Sequence, residues 1–313
     1  MASADVWLPI PPAEIGGLPE SFRYVHWDGE EEFPADPARC VFYAVPYMKG
    51  QAVSVRPLAH MPNLRVVQTL TAGVDHVEPA VPKLPRGTLL CNARGVHDAS
   101  TAELALTLAL ASLRRVPEAV RAQDAGRWEP GVHPALADKT ALIIGYGSIG
   151  SAIEDRLVPF EVEAVHRVAR TARTAPHGPV HALSDLPRLL PEADVVFLVT
   201  PLTDATRGLV DAGFLARMKD GALLVNVARG AVVDTAALLA ELESGRLRAA
   251  LDVTDPEPLS PGHPLWRAPG VLITPHVGGA SSAFLPRARR LLRAQLRRFA
   301  AGEEPEHVVA VAG

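Results

Sequence analysis

The chain has 313 residues, 48% of them hydrophobic and 21% charged, which is room for about two domains and an ordinary globular composition; disorder and a fibrous architecture are excluded. A formal net charge of −4 offers no general attraction to nucleic acid or an anionic membrane, so neither is an expected partner. The most apolar stretch, 104–113, is broken by Thr107 and Ser112 and falls far short of the roughly 20 residues that span a bilayer.

The first 15 residues hold Asp5 and Glu14 but no Lys or Arg, unlike a secretory signal, so a cytoplasmic chain is expected. Cys40 and Cys91 should then be free thiols, and no metal site is expected. Within the first 95 residues, 41–45, 64–70 and 88–91 read as short strands between Pro- and Gly-containing turns, one small α/β unit. From Asp98 a long helix is predicted, with Ser100 or Thr101 as N-cap. Leu104, Leu106, Leu108, Leu110 and Leu113 make it apolar nearly all round, so it should be buried, against this chain or a second subunit.

After a connector at 126–137, residues 140–144 (TALII) read as a buried strand, and a helix should run from about Ser148 towards Leu157. Further strands are predicted at 162–168, 195–200, 222–227, 247–253 and 271–274. Helices are predicted near 185–190, near Phe214 and over 235–244. This alternation predicts a parallel, doubly wound sheet. A last helix, 281–300, should pack a stripe of Leu285, Leu291, Leu292, Leu296 and Phe299 and expose its arginines.

Gly145-Tyr146-Gly147-Ser148-Ile149-Gly150 follows the 140–144 strand directly and opens a helix, the context a dinucleotide-binding turn requires. The first glycine permits the tight turn, the second lets backbone approach a pyrophosphate, and the third lets helix and strand pack closely, while the helix N-terminus presents N–H donors to phosphate. An NAD site would place Asp or Glu at the end of the next strand, to hold the ribose 2′-OH. No acid stands there. Arg167 precedes the strand's end and Arg170 follows it, and guanidinium groups suit a 2′-phosphate, so NADP is the expected cofactor with NAD as the alternative.

Three later segments complete a constellation: 226–230 with Arg229, 251–259 with Asp252 and Glu257, and 274–279 with His276. Each lies at or just after a predicted strand's carboxyl end, where open α/β sheets bind ligands. An Arg, a Glu and a His beside a nicotinamide would supply a bidentate carboxylate clamp, an orienting carboxylate and a proton donor, the needs of 2-oxo acid reduction.

In this order, from Thr71-Ala72-Gly73-Val74-Asp75 through Gly262-His263-Pro264-Leu265-Trp266 to the C-terminal helix, the motifs resemble those of the D-isomer-specific 2-hydroxyacid dehydrogenases, with glyoxylate and hydroxypyruvate reductases among them. The resemblance implies two Rossmann-like α/β domains with doubly wound parallel sheets. The dinucleotide-binding domain, 97–281, would be inserted in a discontinuous substrate domain, 1–96 and 282–313, with the active site between them. It implies that Arg229 binds the substrate carboxylate and carbonyl, that His276 is the acid/base and that Glu257 is its hydrogen-bonded partner. Asp252 would meet the nicotinamide carboxamide, Ser148 and Ile149 the pyrophosphate, and Thr200, Pro201 and Leu202 the adenosine side. Val227, Ala228 and Gly278 would lie beside the cofactor, and the backbone of Ala72, Gly73 and Val74 would hold the substrate carboxylate. Val168 stands where the family's usual aspartate would be. Tyr47 and Met48 are weaker candidates for the pocket wall.

The expected partner is thus a small 2-oxo or 2-hydroxy acid, and the expected assembly a homodimer. Two other readings stay open at this stage. One is a nucleotide-sensing regulator of the same fold with little turnover, corepressor-like. The other is a methyltransferase with a different nucleotide-like cofactor, which leaves Arg229, Glu257 and His276 unexplained.

Overall fold

The structure, a computed structural model, describes residues 4–313. The chain up to His97 together with Ser282–Gly313 forms one compact unit, and Asp98–Ser281 forms another. Strands β1 (Asp5–Leu8), β2 (Arg23–His26), β3 (Cys40–Ala44), β4 (Val66–Gln68) and β5 (Leu89–Cys91) lie in the first unit. The second carries β6 (Thr140–Ile144), β7 (Ala164–Ala169), β8 (Arg173–Ala175), β9 (Gly178–Ala182), β10 (Val195–Leu198), β11 (Leu223–Asn226), β12 (Arg248–Leu251) and β13 (Val271–Ile273). The chain returns to the first unit with β14 (Val308–Val311).

In the first unit the strand order is β14-β5-β4-β3-β1-β2, parallel except for the antiparallel β14–β5 pair. The helix Phe284–Ala300 lies on this sheet, burying Phe284, Ala288, Leu292, Leu296 and Phe299 at the three-to-four spacing of one helical stripe. Leu285, expected in that stripe, is exposed and Phe284 takes its place, because the helix starts three residues later than predicted and its face is set by the sheet. Gln295 is fully buried and satisfied: its amide donates to Gln68 Oε1 at 2.7 Å and to the Glu306 carbonyl at 2.8 Å. Cys40 and Cys91 are buried and unpaired, and burial pushes both thiols up to about 12.

The second unit has the order β13-β12-β11-β10-β6-β7-β9-β8, parallel except for the β8–β9 hairpin. Strand β6 is central, with β7 on one side and β10 on the other, so the winding reverses between β6 and β10. Residues 141–144, 195–198 and 223–226 are buried throughout, as expected for strands covered on both faces. The helix Asp98–Leu113 packs on one of those faces with Ala102, Ala105, Leu106, Leu108, Ala109 and Leu113 buried. Its burial is therefore met within this unit, and of its leucines only Leu104 and Leu110 remain half-buried. The helix begins at Asp98, so Ser100 and Thr101 sit inside the first turn instead of capping it.

The hairpin β8–β9 has no counterpart in the predicted elements, and it places Arg170 in the exposed turn after β7. Arg167 points elsewhere. Its Nε donates to Glu154 Oε2 at 2.7 Å and its other arm to Glu154 Oε1, while the Tyr146 hydroxyl donates to the same carboxylate at 2.5 Å. Glu154 and Tyr146 are buried, and the Arg167 guanidinium lies 5.9 Å from the centre of the Tyr146 ring. The expectation that Arg167 grips a 2′-phosphate is corrected accordingly: its fork is held by Glu154 from the helix Ser148–Leu157, and the pair anchors the glycine turn to β7.

Removing one partner strands a buried charge, so Arg167→Ala should lower unfolding free energy by about 3–5 kcal/mol. Arg170→Ala, a substitution in an exposed turn, should leave the urea midpoint unchanged. Equal midpoints for wild type and Arg167→Ala would show that the pair carries no stability.

Candidate active site

The glycine turn grows directly out of β6. Gly145 has φ +99°, and a Cβ there would lie 2.4 Å from the Thr200 backbone nitrogen, so only glycine lets the end of β6 meet the end of β10. Gly145 N and Tyr146 N both donate to the Val168 carbonyl at 2.9 Å, which ties the turn to β7 as well. Arg173, at the start of β8, donates to the Tyr146 carbonyl. At Gly150 a Cβ would stand 3.2 Å from Ile143, the close helix-to-strand approach read from the motif.

Gly147 differs from both. Its φ is −114°, and the nearest atom to a Cβ there would be 3.8 Å away, so nothing within the chain demands glycine. What a side chain would fill is the space in front of the N-terminus of the helix Ser148–Leu157, whose first N–H groups lack intrahelical acceptors. This cradle fits a pyrophosphate, with Ser148 and Ile149 supplying backbone donors. Ser148 Oγ itself donates to Asp98 at 3.2 Å. Thr200 is buried and Pro201 accepts from Thr206 Oγ1 at 2.6 Å, so the segment leading to Leu202 is a fixed wall beside the turn.

Arg229, Glu257 and His276 follow the carboxyl ends of β11, β12 and β13. Asn226, the last residue of β11, is buried and shapes the first of these turns: its side chain accepts from Ala228 N at 3.0 Å and donates to the Arg229 carbonyl at 3.0 Å. Arg229 Nη1 donates to the Ala228 carbonyl at 2.8 Å. Gly230 is required here by contact, since a Cβ would fall 1.9 Å from the Thr254 carbonyl oxygen. The loop that carries Glu257 therefore closes directly on the backbone next to Arg229. Neither Asn226 nor Gly230 was singled out as a site residue from the sequence, although an Asn ending a buried strand and a Gly after the arginine were both visible.

His276 sits in the left-handed region with φ +53°. Its backbone N–H donates to the Asp252 carbonyl at 2.8 Å and to the Thr274 carbonyl at 3.1 Å. The buried Asp252 carboxylate holds the rest of the turn: Oδ1 accepts from Thr274 Oγ1 at 2.6 Å and from Val277 N at 2.9 Å, and Oδ2 accepts from Gly278 N at 2.9 Å. A Cβ at Gly278 would stand 3.0 Å from that oxygen, so glycine is needed for the approach. Asp252 and Gly278, expected at the cofactor, thus have a documented task within the chain, the setting of the His276 turn. Thr101 adds a bond from the long helix, donating to the Gly278 carbonyl at 3.3 Å.

The imidazole is bonded to Glu257, with Nδ1 and Oε1 2.5 Å apart, which leaves Nε2 for other chemistry. The hydrogen bond to Glu257 raises the His276 pKa above its ordinary value; burial and the Arg229 charge act against it, and the Glu257 and Asp252 charges with it. For Glu257, burial pushes the carboxyl up, but the His276 hydrogen bond and charge, a Thr254 backbone bond and Arg229 together bring it below the usual carboxylate range. Both shifts favour the ionised forms, a carboxylate on Glu257 and an imidazolium on His276, with the Arg229 charge acting on both groups.

Other expected positions divide by unit. Ala72, Gly73 and Val74 follow β4 in the first unit, where Asn92 donates to the Ala72 carbonyl at 2.9 Å and Thr71 Oγ1 to the Gly73 carbonyl at 2.7 Å. Tyr47 stacks on Phe284 with ring centres 4.0 Å apart, and His97 stacks on Phe284 at 5.3 Å, so Tyr47 belongs to an aromatic cluster of that unit. Val227 and Ala228 are buried at the end of β11. No cluster of metal-binding side chains occurs among the described residues, and no helix among them is long and apolar enough to cross a membrane.

Residues 106–278 match the family described as D-isomer specific 2-hydroxyacid dehydrogenase, NAD binding domain. The chain is similar to the glyoxylate reductase of Thermofilum pendens, at 35% identity over 79% of this chain and 75% of that one. It is also similar to the glyoxylate reductase/hydroxypyruvate reductase of Mus musculus, at 38% identity over 70% and 69% of the two chains. Among solved structures, the NADPH-dependent glyoxylate/hydroxypyruvate reductase of Sinorhizobium meliloti, in complex with NADP and malonate, superposes with a TM-score of 0.80 at 29% identity, covering 99% of this chain and 97% of that one. The doubly wound fold, the glycine turn on a nicotinamide dinucleotide domain and these similarities agree: the chain belongs to the D-isomer-specific 2-hydroxyacid dehydrogenases and is an oxidoreductase acting on 2-hydroxy acids.

Proposed function

We propose that this enzyme reduces a small 2-oxo acid of the glyoxylate or hydroxypyruvate class to the D-2-hydroxy acid, with preference for NADPH and with His276 as the acid/base. The observation that carries the reading is the 2.5 Å bond between His276 and Glu257 beside Arg229. The dinucleotide, bound across the glycine turn, supplies the hydride. Arg229 orients the substrate through its carboxylate and carbonyl, which a planar fork can hold together. His276, as imidazolium, gives its Nε2 proton to the carbonyl oxygen as that oxygen becomes a hydroxyl. Glu257 keeps the ring oriented and charged until the proton leaves. Ala72, Gly73 and Val74 would add backbone donors to the substrate carboxylate.

NADPH preference rests on the absence of an acid after β7, where Val168 is buried and Ala169 ends the strand, and on the exposed Arg170 and Arg173 on either side of the β7–β8 turn. It is supported by the NADPH-dependent relative with NADP bound. Cytoplasmic location and a homodimer belong to the same reading. For the dimer, support comes from the 126–137 connector, where Trp128 and Val132 are 95% and 103% exposed.

Arg170→Ala should weaken NADPH by about tenfold or more, the loss of one charge-assisted contact, and leave NADH unchanged. Equal losses, or a wild type that prefers NADH, would reject the 2′-phosphate assignment.

Arg229→Lys should lower kcat/KM by about 10²-fold or more with nucleotide affinity retained, because a point charge cannot replace the fork. Near-normal efficiency in that variant would make Arg229 structural.

The pH dependence has a definite sign. His276 has a raised pKa, so the protonated form needed for reduction persists above pH 6.5 and is lost as pH rises through the raised value; oxidation improves over the same range. Glu257→Gln removes the counter-charge and should move the reductive decline to lower pH. His276→Ala should lose about 10²–10⁴ in both directions. The profile of kcat/KM with deuterated NADPH, to show that chemistry limits, is the measurement; an unmoved profile in Glu257→Gln would reject the pair.

A further inference from the structure

In the unit formed by the chain up to His97 and Ser282–Gly313, β4 and β5 are parallel neighbours whose last residues, Gln68 and Cys91, lie opposite each other. The segments that follow them are stitched together. Thr69 N donates to the Cys91 carbonyl and Ala93 N to the Thr71 carbonyl, both at 2.9 Å, and the Asn92 amide donates to the Ala72 carbonyl at 2.9 Å. Residues 93–96 then form a tight turn, closed by Val96 N on the Ala93 carbonyl at 3.1 Å, with Gly95 at φ +91° in its left-handed position and Arg94 beside it at the tip. Arg94 N is held by Asn92 Oδ1 at 3.2 Å. The backbone of Arg94 is therefore fixed relative to the loop 72–74.

Both segments present donors without acceptors. The carbonyls of Ala72, Gly73 and Val74 are all occupied, by the Asn92 amide, by Thr71 Oγ1, and by Val77 N and Glu78 N at 2.8 Å. The N–H groups of the same three residues have no acceptor among the described residues. Arg94 is exposed, and its guanidinium has neither a hydrogen bond nor an ion pair among the described residues. Other arginines of the unit are held on carboxylates, Arg23 by Asp5, Arg289 by Glu14 and Arg298 by Glu303. Asp75 is the one acid in 69–75 and 92–96, and Arg94 is not paired with it. Arg86, also without an ion pair, precedes β5 and so lies at the other edge of the sheet.

Unspent amide N–H groups beside an unpaired guanidinium suit oxyanions. In the reading above, the amides of 72–74 meet the carboxylate next to the reacting carbonyl, and a monoanionic acid leaves nothing for Arg94 to bind. A guanidinium fork takes a carboxylate or a phosphate group bidentately. We propose that Arg94 is a specificity-determining residue that binds a second oxyanion group at the far end of the substrate, so that the 2-oxo acids this enzyme reduces best carry such a group. This rests on the 2-oxo acid reductase reading and on the place of 72–74 within it.

The test is the kcat/KM of the NADPH-saturated enzyme for two pairs of acids, each pair differing by one oxyanion group: oxaloacetate against 2-oxobutyrate, and phosphohydroxypyruvate against hydroxypyruvate. Wild type should favour the more charged acid in at least one pair, and the pair with the larger preference tells carboxylate from phosphate recognition. Arg94→Gln should lower that preference by about tenfold or more, mainly through KM, and Arg94→Lys should keep part of it. Added salt should erode the preference in wild type and have little effect on it in Arg94→Gln, a measurement on wild type that needs no variant to fold. A wild type that favours the less charged acid in both pairs, or equal losses for both members of a pair in Arg94→Gln, would overturn the proposal and leave the reductase reading standing. No turnover of any of the four acids would overturn both.

Discussion

Because β6, β7, β10, β11, β12 and β13 run parallel, their carboxyl ends share one edge of the sheet, and each segment of the Asp98–Ser281 unit proposed to act in the reaction leaves from that edge. The glycine turn follows β6, the exposed arginines β7, Thr200 β10, Arg229 β11, Glu257 β12 and His276 β13. Six segments separated by up to 131 positions in sequence, Gly145 to His276, are brought together by a single rule of strand direction. The reversal of winding between β6 and β10 opens the place where Gly145 and Thr200 touch, which is where a dinucleotide enters such a sheet.

On that edge, one buried carboxylate does much of the positioning. A histidine in the left-handed region costs about 1–3 kcal/mol of backbone strain. Asp252 offsets it by accepting three hydrogen bonds from the turn, while its own carbonyl takes the His276 N–H. Nothing in this arrangement needs a ligand. The His276 turn is therefore ordered by the chain itself, and the imidazole is held on Glu257.

The same unit treats its arginines in three ways, and the difference is one of neighbours. Arg167, with a carboxylate within reach, becomes part of the packing. Arg229, on a strand end beside the His276–Glu257 pair, keeps its fork near the imidazole and tempers the pKa rise that Glu257 produces. Arg248, at the amino edge of the sheet, donates to a backbone carbonyl, and burial and the charge of Arg115 depress its pKa against the pull of Glu118.

Sequence alone was enough for the doubly wound fold and the family, because each rests on local grammar: an apolar run of strand length, a glycine spacing, a residue just past a strand. It was also enough to place Arg229, Glu257 and His276 after successive strands. Three things were decided only in three dimensions. Phe284 replaced Leu285 in the buried stripe of the last helix, since the sheet beneath sets a helix's face. Arg167 proved to belong to Glu154, thirteen residues earlier and on another element, a pairing no spacing rule contains. Asp252 turned out to be the anchor of the His276 turn, because its three donors come from a segment that only strand pairing brings alongside. Side-chain partners across elements depend on register and packing, and these are properties of the folded sheet.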